Sequence, residues 1–565
     1  MSQVLTHTPN ELGPDLHHGA TVGDDKPNVE YIEDSKPGVI DIHAGEGLGS
    51  RFEDLGLIPT VRKFWKASVI AALCAFSAAC DGYQISINGN VIANPGFIET
   101  FGNQTDPDTG KRILSASTLS AFSAMISVGQ CIGMLVLPFI MDKFGRKWAM
   151  YYLWSILAIS VLFESVAKTW PLWLVGKLFA GHGVGCLQLC IPTYIAEISP
   201  IPIRGAMITL YNIWWAIGQL FAPVALQVLG ETDPNDWKTP IYTQWAMIGL
   251  MGLIYVFIVP ESPWWAAEKG KHEVAKRTLT KLNGNVAGYN VEEEYAIMVR
   301  TIELEKEMAI QRKNESWTAI FKGVNALRTL AAGWSLVSSQ FLGLALIGTY
   351  TTYFFLLAGS NEPFKQTIIT SCLGIAAVIF CTFTIDKIGR YWLLNAALTL
   401  CWISLPLIGG LSLIKDPGQS VGGALIFLAC LWSFCNQMNY TCSWGMMAEV
   451  PSARLRAKTA GFAAACSSVS GIIMVVVVPY MINVNNANWG LKTCFFFCGI
   501  GLPFVVGGWL IIPETARRSP AELDELYESG VKPWRFRKTI TKVQEKRAAG
   551  GYVEPESGVR QHFGH

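Results

Sequence analysis

The sequence predicts an all-α integral membrane protein whose twelve transmembrane helices form two pseudo-symmetric six-helix bundles. Three observations carry that prediction. The 565 residues are 51% hydrophobic and only 15% charged, with a mean hydropathy of +0.32, and a soluble chain of this length needs more charge to cover its surface. Apolar runs of about 20 residues recur, each long enough to cross a hydrocarbon core of about 30 Å. A short string also occurs twice, each time beside an apolar run: Asp142-Lys143-Phe144-Gly145-Arg146-Lys147 and, 244 residues later, Asp386-Lys387-Ile388-Gly389-Arg390-Tyr391. Two further pairs echo in the same order. Ala196-Glu197…Arg204 matches Ala448-Glu449…Arg456 at a shift of 252, and Pro260-Glu261-Ser262 matches Pro513-Glu514-Thr515 at a shift of 253. The chain reads as a duplicated membrane unit.

Residues 1–60 are polar, rich in Gly, Asp and His, and lack a charged-then-apolar signal pattern, so they read as a disordered cytosolic tail. His17-His18 within that tail is not taken as a metal site. Arg62, Lys63 and Lys66 then precede the first apolar run, which by the positive-inside rule leaves the N-terminus in the cytosol. The N-terminal bundle occupies 61–260, with apolar runs at 67–91, 114–140, 148–168, 171–195, 206–229 and 241–259. The hydrophilic stretch 261–327 carries Lys269, Lys271, Lys276 and Arg277 and then Glu292, Glu293 and Glu294, and reads as cytosolic linker helices. The C-terminal bundle occupies 328–512, with runs at 328–357, 366–385, 391–414, 421–446, 459–483 and 489–512. Six spans per half return the chain to its starting side, so the charged tail 513–565 is cytosolic too. Asn103-Gln104-Thr105 is a glycosylation sequon in the first loop, which this topology places outside. Asn103 is therefore the candidate glycan site, while Asn314-Glu315-Ser316 in the linker stays bare.

Composition excludes several classes of function. A net charge of +1 offers no case for a nucleic-acid partner. The 20 Trp and 28 Phe suit lipid-facing surfaces and interfacial belts, so the bilayer is the large partner. The 14 Cys show no CxxC pair; residues such as Cys186, Cys190, Cys494 and Cys498 lie inside apolar runs as small hydrophobes, and no metal site or disulfide is expected. Gly181-x-Gly183-x-Gly185 is not a dinucleotide fingerprint, since no strand precedes it and it lies within a span; it points to close helix contact. No zinc-protease motif, nucleophile elbow or phosphate loop is present, so neither an enzyme nor a cofactor is expected.

Each Asp-x-x-Gly-Arg string sits at a helix-to-loop junction. Gly permits a tight turn, and Arg and Asp can pair with carboxylates or helix ends across the bundle seam. For a single copy, ordinary positive-inside loop charge would suffice. Two copies in register point instead to a cytosolic charge cluster of Asp142, Arg146, Glu197 and Arg204 in one half and Asp386, Arg390, Glu449 and Arg456 in the other.

With these residues in view, the chain resembles the sugar porter family of the major facilitator superfamily, in its fungal form, over roughly residues 65–530. The matching stretches are Gly176-Lys177…Gly181-His182-Gly183-Val184-Gly185, Pro192-Thr193-Tyr194-Ile195-Ala196-Glu197…Arg204-Gly205, Gly218-Gln219-Leu220, Pro260-Glu261-Ser262-Pro263 and Pro513-Glu514-Thr515. The resemblance implies the major facilitator fold, a central site near the midplane and alternating access by rocking of the halves. It also implies sugar contacts at Asn212 (where the family usually has Gln), Gln219, Gln340, Trp444 and Ser467. The usual Gln-Gln-x-x-Gly-x-Asn of the seventh helix here reads Ser339-Gln340-Phe341-Leu342-Gly343-Leu344-Ala345, and the Gly-Pro of the tenth reads Tyr440-Thr441. Amides offer donors and acceptors to vicinal hydroxyls, and an indole face suits the apolar face of a pyranose. Fewer long amides imply a different or larger ligand, or a looser grip.

Ionisable residues inside a span default to function. Asp81, Lys177 and His182 are the three singled out. In proton-coupled relatives a carboxylate follows the first-helix Tyr and pairs with an Arg on the fourth helix; those positions here hold Gln84 and Lys177. Asp81 lies three residues earlier on a similar face. It either replaces the displaced carboxylate, partnered by Lys177, or makes a static hydrogen bond between helices. His182 is expected to pack or to make a polar contact. The leading reading is a monomeric plasma-membrane carrier moving a hexose, disaccharide or related polyol with protons. The alternatives are a uniporter or antiporter for a non-sugar polyhydroxy compound or secondary metabolite, and a transporter-like sugar sensor.

Overall fold

The computed structural model describes residues 52, 55–107, 110–313, 316–414, 419–452, 454–516, 518, 520–542 and 544–545. Most of the expected tail, His17-His18 included, and Asn314 and Glu315 of the second sequon lie outside the described residues, as does the side chain of Asp386, while the end of that tail is not disordered but joins helix Leu57–Lys63. Among the described residues eleven helices are long and apolar enough to cross a membrane. The first six are Trp65–Ala93, Ala116–Phe144, Arg146–Val166, Trp170–Ile198, Ile201–Thr232 and Lys238–Ile258. The eighth to twelfth are Pro363–Ile385, Arg390–Leu411, Ser420–Met447, Arg456–Ile482 and Gly490–Ile511.

The seventh place is taken by a broken helix where the sequence predicts one apolar run. Gly323–Phe341 is followed by a π-helical turn, Leu344–Thr349, and then by Thr351–Leu357. Gly343 makes the break at φ +88°, a region open to glycine. The break leaves the Leu342 carbonyl without its helical partner, and the Trp432 indole N–H donates to it at 2.9 Å.

Small residues draw the second and fourth helices together, as the Gly181-x-Gly183-x-Gly185 stretch predicts. A Cβ on Gly181 would meet the Ile126 carbonyl and one on Gly185 the Gln130 carbonyl, so the two backbones touch. Side-chain bonds join the halves at one end of the molecule. Ser120 donates to the Val476 carbonyl at 2.7 Å, Thr352 to Asn90 Oδ1 at 2.6 Å and Asn483 to the Leu114 carbonyl at 2.9 Å, while Tyr350 and Ser123 share a bond at 2.9 Å. That end also carries, as the one pair of strands among the described residues, a short antiparallel ribbon of β1 (Gln104–Thr105) and β2 (Arg112–Ile113).

The opposite end carries the linker. Helices Pro263–Glu268, His272–Asn283 and Val291–Lys313 share a small core of Trp265, Ala275, Leu279, Tyr295 and Met298. Beyond the twelfth helix the tail is more ordered than its charge suggests. Helix Pro520–Glu528 buries Leu523, Leu526 and Tyr527. It docks on the start of the seventh helix, where Arg328 pairs with Asp524 and lies 4.7 Å from the Tyr527 ring centre.

Candidate functional site

A cavity of about 490 Å³ lies between the two halves. It is shut on the ribbon side by the bonds joining the halves. Trp444, on its wall near the linker end of the tenth helix, is 44% exposed. The N-terminal half contributes Ser86, Gln130, Gln188, Trp215 and Gln219, and the C-terminal half Gln340, Trp432, Asn436, Gln437 and Trp444. Amides with donor and acceptor ends thus stand between indole faces, an arrangement suited to a ring bearing several hydroxyls. No Asp, Glu, Lys, Arg or His is among the described residues that line it.

Of the expected contacts, Gln219, Gln340, Trp444 and Ser467 line the cavity. Gly471 makes room for Gln340, since a Cβ there would come within 3.2 Å of its Oε1. Ser467 also donates to the Leu336 carbonyl at 3.4 Å. Asn212 does not belong to this wall. It is exposed two turns from Gln219 towards the linker end, and Trp215 and Ala216 hold the wall instead. The expected shortage of long amides is also corrected. Gln130, Gln188, Asn436 and Gln437 supply on the second, fourth and tenth helices what the seventh has lost. Their signal in the sequence was polar side chains inside apolar runs.

The intramembrane ionisable residues form two separate centres rather than one. Asp81, fully buried, accepts from Gln188 Nε2 and from the Tyr211 hydroxyl, both at 3.3 Å. Lys177 does not partner it. Its Nζ lies 3.1 Å from Glu164 Oε1, with both side chains 0% exposed. Glu164 also accepts from Gln84 at 3.1 Å, Ser160 at 3.2 Å and Gln244 at 3.4 Å, so the network spans the first, third, fourth and sixth helices. The physical reason is rotation about the helix axis: Asp81 points towards the fourth and fifth helices, while Gln84 points towards the third. Glu164 is the functional candidate that the sequence reading missed. His182 makes the expected polar contact, 2.8 Å from the Tyr152 hydroxyl.

At the linker end the repeated strings form matching junctions. Arg146 donates from Nη2 and Nε to Glu197 Oε1 at 2.7 and 3.0 Å, and Arg390 donates from Nη2 to Glu449 Oε1 at 3.2 Å. Each Arg also starts a helix whose first N–H donates to a carboxylate, Glu261 for Arg146 and Glu514 for Arg390, both at 2.9 Å. Gly145 at φ +104° and Gly389 at φ +101° are required twice over, by backbone conformation and because a Cβ would strike those same carboxylates. Burial lifts the Glu261 carboxyl above its ordinary range, and the backbone N–H groups of Ser262, Lys147 and Arg146 pull it back in part. Three of the expected members stand outside these bonds. Asp142 joins through its backbone carbonyl, which accepts from the Trp265 indole at 3.1 Å; Arg204 Nε has no hydrogen-bond partner among the described residues; and Arg456 is exposed at the start of the eleventh helix. Asn103 is exposed, and its Nδ2 donates to Ser115 at 3.0 Å and Thr118 at 3.1 Å.

A family model described as "Sugar (and other) transporter" matches residues 69–527. The general alpha-glucoside permease of Saccharomyces cerevisiae is 29% identical over 528 residues, covering 91% of this chain and 84% of that protein. The MFS transporter fmqE of Aspergillus fumigatus is 29% identical over 479 residues, covering 84% and 88%. The xylose transporter XylE from E. coli in its inward-open conformation shares the fold, with a TM-score of 0.64 at 18% identity over 82% of this chain and 99% of that one. Duplicated bundles, a cavity between them and the match across most of the sequence agree: this multi-pass membrane protein belongs to the sugar (and other) transporter family.

Proposed function

We propose that the protein carries a neutral sugar, an α-glucoside or a hexose, across the plasma membrane by proton symport with alternating access. The observation that carries this reading is the wall of the cavity, rich in amides and indoles and free of charged side chains among the described residues. Such a wall favours a polyhydroxylated, uncharged ligand over a polyhydroxy acid or an amine, whose charge would go uncompensated. The names of the yeast relatives, alpha-glucoside and maltose permeases, favour α-glucosides within that class.

Arg62, Lys63 and Lys66 before the first helix favour a cytosolic linker and cytosolic termini. On that orientation the cavity faces the cytosol. The junctions at Arg146 and Arg390 then act as paired struts that stiffen the cytosolic ends of the two halves as they rock. Asp81 is the proposed proton carrier, since it is buried in the span beside the cavity and its two oxygens are held by neutral donors. The Glu164–Lys177 pair, already compensated, ties the N-terminal bundle together.

Uptake of labelled maltose, glucose and xylose into cells lacking their own carriers tests the reading, with and without a protonophore. Accumulation that the protonophore abolishes is the expected result. Uptake of none of them would overturn the assignment to sugars, and uptake indifferent to the protonophore would overturn symport.

A further inference from the structure

Asp81 is joined to the cavity through two amides. Gln188 donates from Nε2 to Asp81 Oδ1 at 3.3 Å and accepts at Oε1 from Gln130 Nε2 at 2.7 Å. Both glutamines line the cavity, while Asp81 is buried behind them. Their meeting is fixed by the backbone, because the second and fourth helices touch at Gly129, Gly181 and Gly185, immediately around these side chains. Two side chains of the fifth helix also reach the carboxyl: the Tyr211 hydroxyl at 3.3 Å and the indole of Trp215, which itself lines the cavity.

An amide has a donor end and an acceptor end, so a chain of amides has a direction. An ionised carboxylate accepts only. Facing it, Gln188 presents Nε2 to Asp81 and Oε1 to Gln130, and Gln130 is left with its own Oε1 for the cavity. A protonated carboxyl has an O–H to donate. Gln188 accepts it by turning over, offers Nε2 to Gln130 Oε1, and Gln130 then shows N–H to the cavity. We propose that Gln188 and Gln130 form a relay that converts the protonation of Asp81 into a change of the cavity wall from hydrogen-bond acceptor to hydrogen-bond donor. This rests on the reading of Asp81 as the proton carrier. It adds a route by which the substrate feels the proton without touching the carboxyl. A sugar hydroxyl can answer either wall, but a ring or glycosidic oxygen accepts only and engages the donor form. One net hydrogen bond gained in this way changes sugar affinity about fivefold.

Asp81 is the group around which the titration turns. The other titratable groups facing it are Cys80 beside it, Tyr211 from the fifth helix and Tyr440 from the tenth, a thiol and two phenols whose ordinary values lie at about 8.5 and 10. The fourth helix presents Gln188, which does not titrate. The charged Glu164–Lys177 pair gathers around Gln84, one turn along the first helix.

The relay is tested without a substrate, by pH-difference infrared spectroscopy of the purified full-length protein in lipid, with glutamine side chains labelled by nitrogen-15. The expected spectrum holds a carboxyl C=O band that Asp81→Asn removes, together with label-sensitive glutamine amide bands. Gln188→Met keeps the carboxyl band and loses the amide bands. Gln130→Met, which spares the contact to Asp81 should the first variant fold poorly, keeps the carboxyl band and loses part of the amide signal. A carboxyl band untouched by Asp81→Asn would overturn the reading of Asp81 itself. A band that Asp81→Asn removes, with no glutamine signal or with one unchanged in both glutamine variants, would overturn the relay alone.

Discussion

Replacing either member of the Glu164–Lys177 pair strands a full charge inside the membrane-embedded bundle. Both side chains are 0% exposed and Nζ to Oε1 is 3.1 Å, and breaking such a pair from one side costs about 3–5 kcal/mol. The two single variants fall at different points of that range. Lys177→Met leaves Glu164 with Gln84, Ser160 and Gln244 still donating to it, which places the loss at about 3 kcal/mol. Glu164→Gln leaves the Lys177 ammonium without its opposing charge, with the Trp173 ring 4.5 Å away, which places the loss at about 5 kcal/mol. Removing both charges restores most of it, because an ion pair exchanged for neutral side chains of similar volume is often close to neutral, here within about 2 kcal/mol of the parent. Thermal unfolding of the purified protein in detergent should therefore order the midpoints as parent, then the double variant, then Lys177→Met, then Glu164→Gln. A double variant less stable than either single one would refute the pairing. So would Asp81→Asn rescuing Lys177→Met, because that result would tie the lysine to the first helix.

Three further outcomes follow from the same geometry. Trp444→Ala removes an indole face from the cavity wall and should raise KM about tenfold, or about 1.4 kcal/mol, measured as sugar uptake in whole cells; an unchanged KM would remove Trp444 from the site. Cys131 is exposed and lines the cavity, so a transported sugar should slow its modification by a polar maleimide, with Cys131→Ala as the blank. A labelling rate indifferent to sugar would place the ligand elsewhere. Asn103 spends its amide on Ser115 and Thr118, so Asn103→Gln should leave electrophoretic mobility unchanged, and a faster-running band would show a glycan there.

The sequence makes the architecture legible because the signals are long-range and redundant. Twelve apolar runs and three echoes in register are hard to produce by other means. The break in the seventh helix was not legible from hydropathy, since Leu344–Leu357 stays apolar through it; only the positive φ of Gly343 reveals it. At the site, the resemblance pointed to Gln219, Gln340, Trp444 and Ser467, all of which line the cavity, but it drew attention to what the seventh helix lacks. Gln130 and Gln188 were visible as polar residues inside apolar runs, and what they do depends on two helices touching at glycines, which no single-helix pattern contains. Glu164 lies near the end of its apolar run, where hydropathy alone does not separate a buried carboxylate from one at the membrane surface. Asp81 and Lys177 were paired because spacing along one helix gives a face but not the identity of the neighbour on it. Helix Pro520–Glu528 shows the converse, since Leu523, Leu526 and Tyr527 carry a helical period that the surrounding charge masked.

On the proposed mechanism, sugar and protons move together through Asp81. Liposomes containing the purified protein and a lumenal pH dye test it most directly, with maltose or glucose presented outside and no imposed pH gradient. The account predicts that inward sugar flux acidifies the lumen in proportion to sugar entry, and that Asp81→Asn lets sugar exchange while abolishing the acidification. Sugar entering the parent protein with no change of lumenal pH, or acidification undiminished in Asp81→Asn, would contradict it.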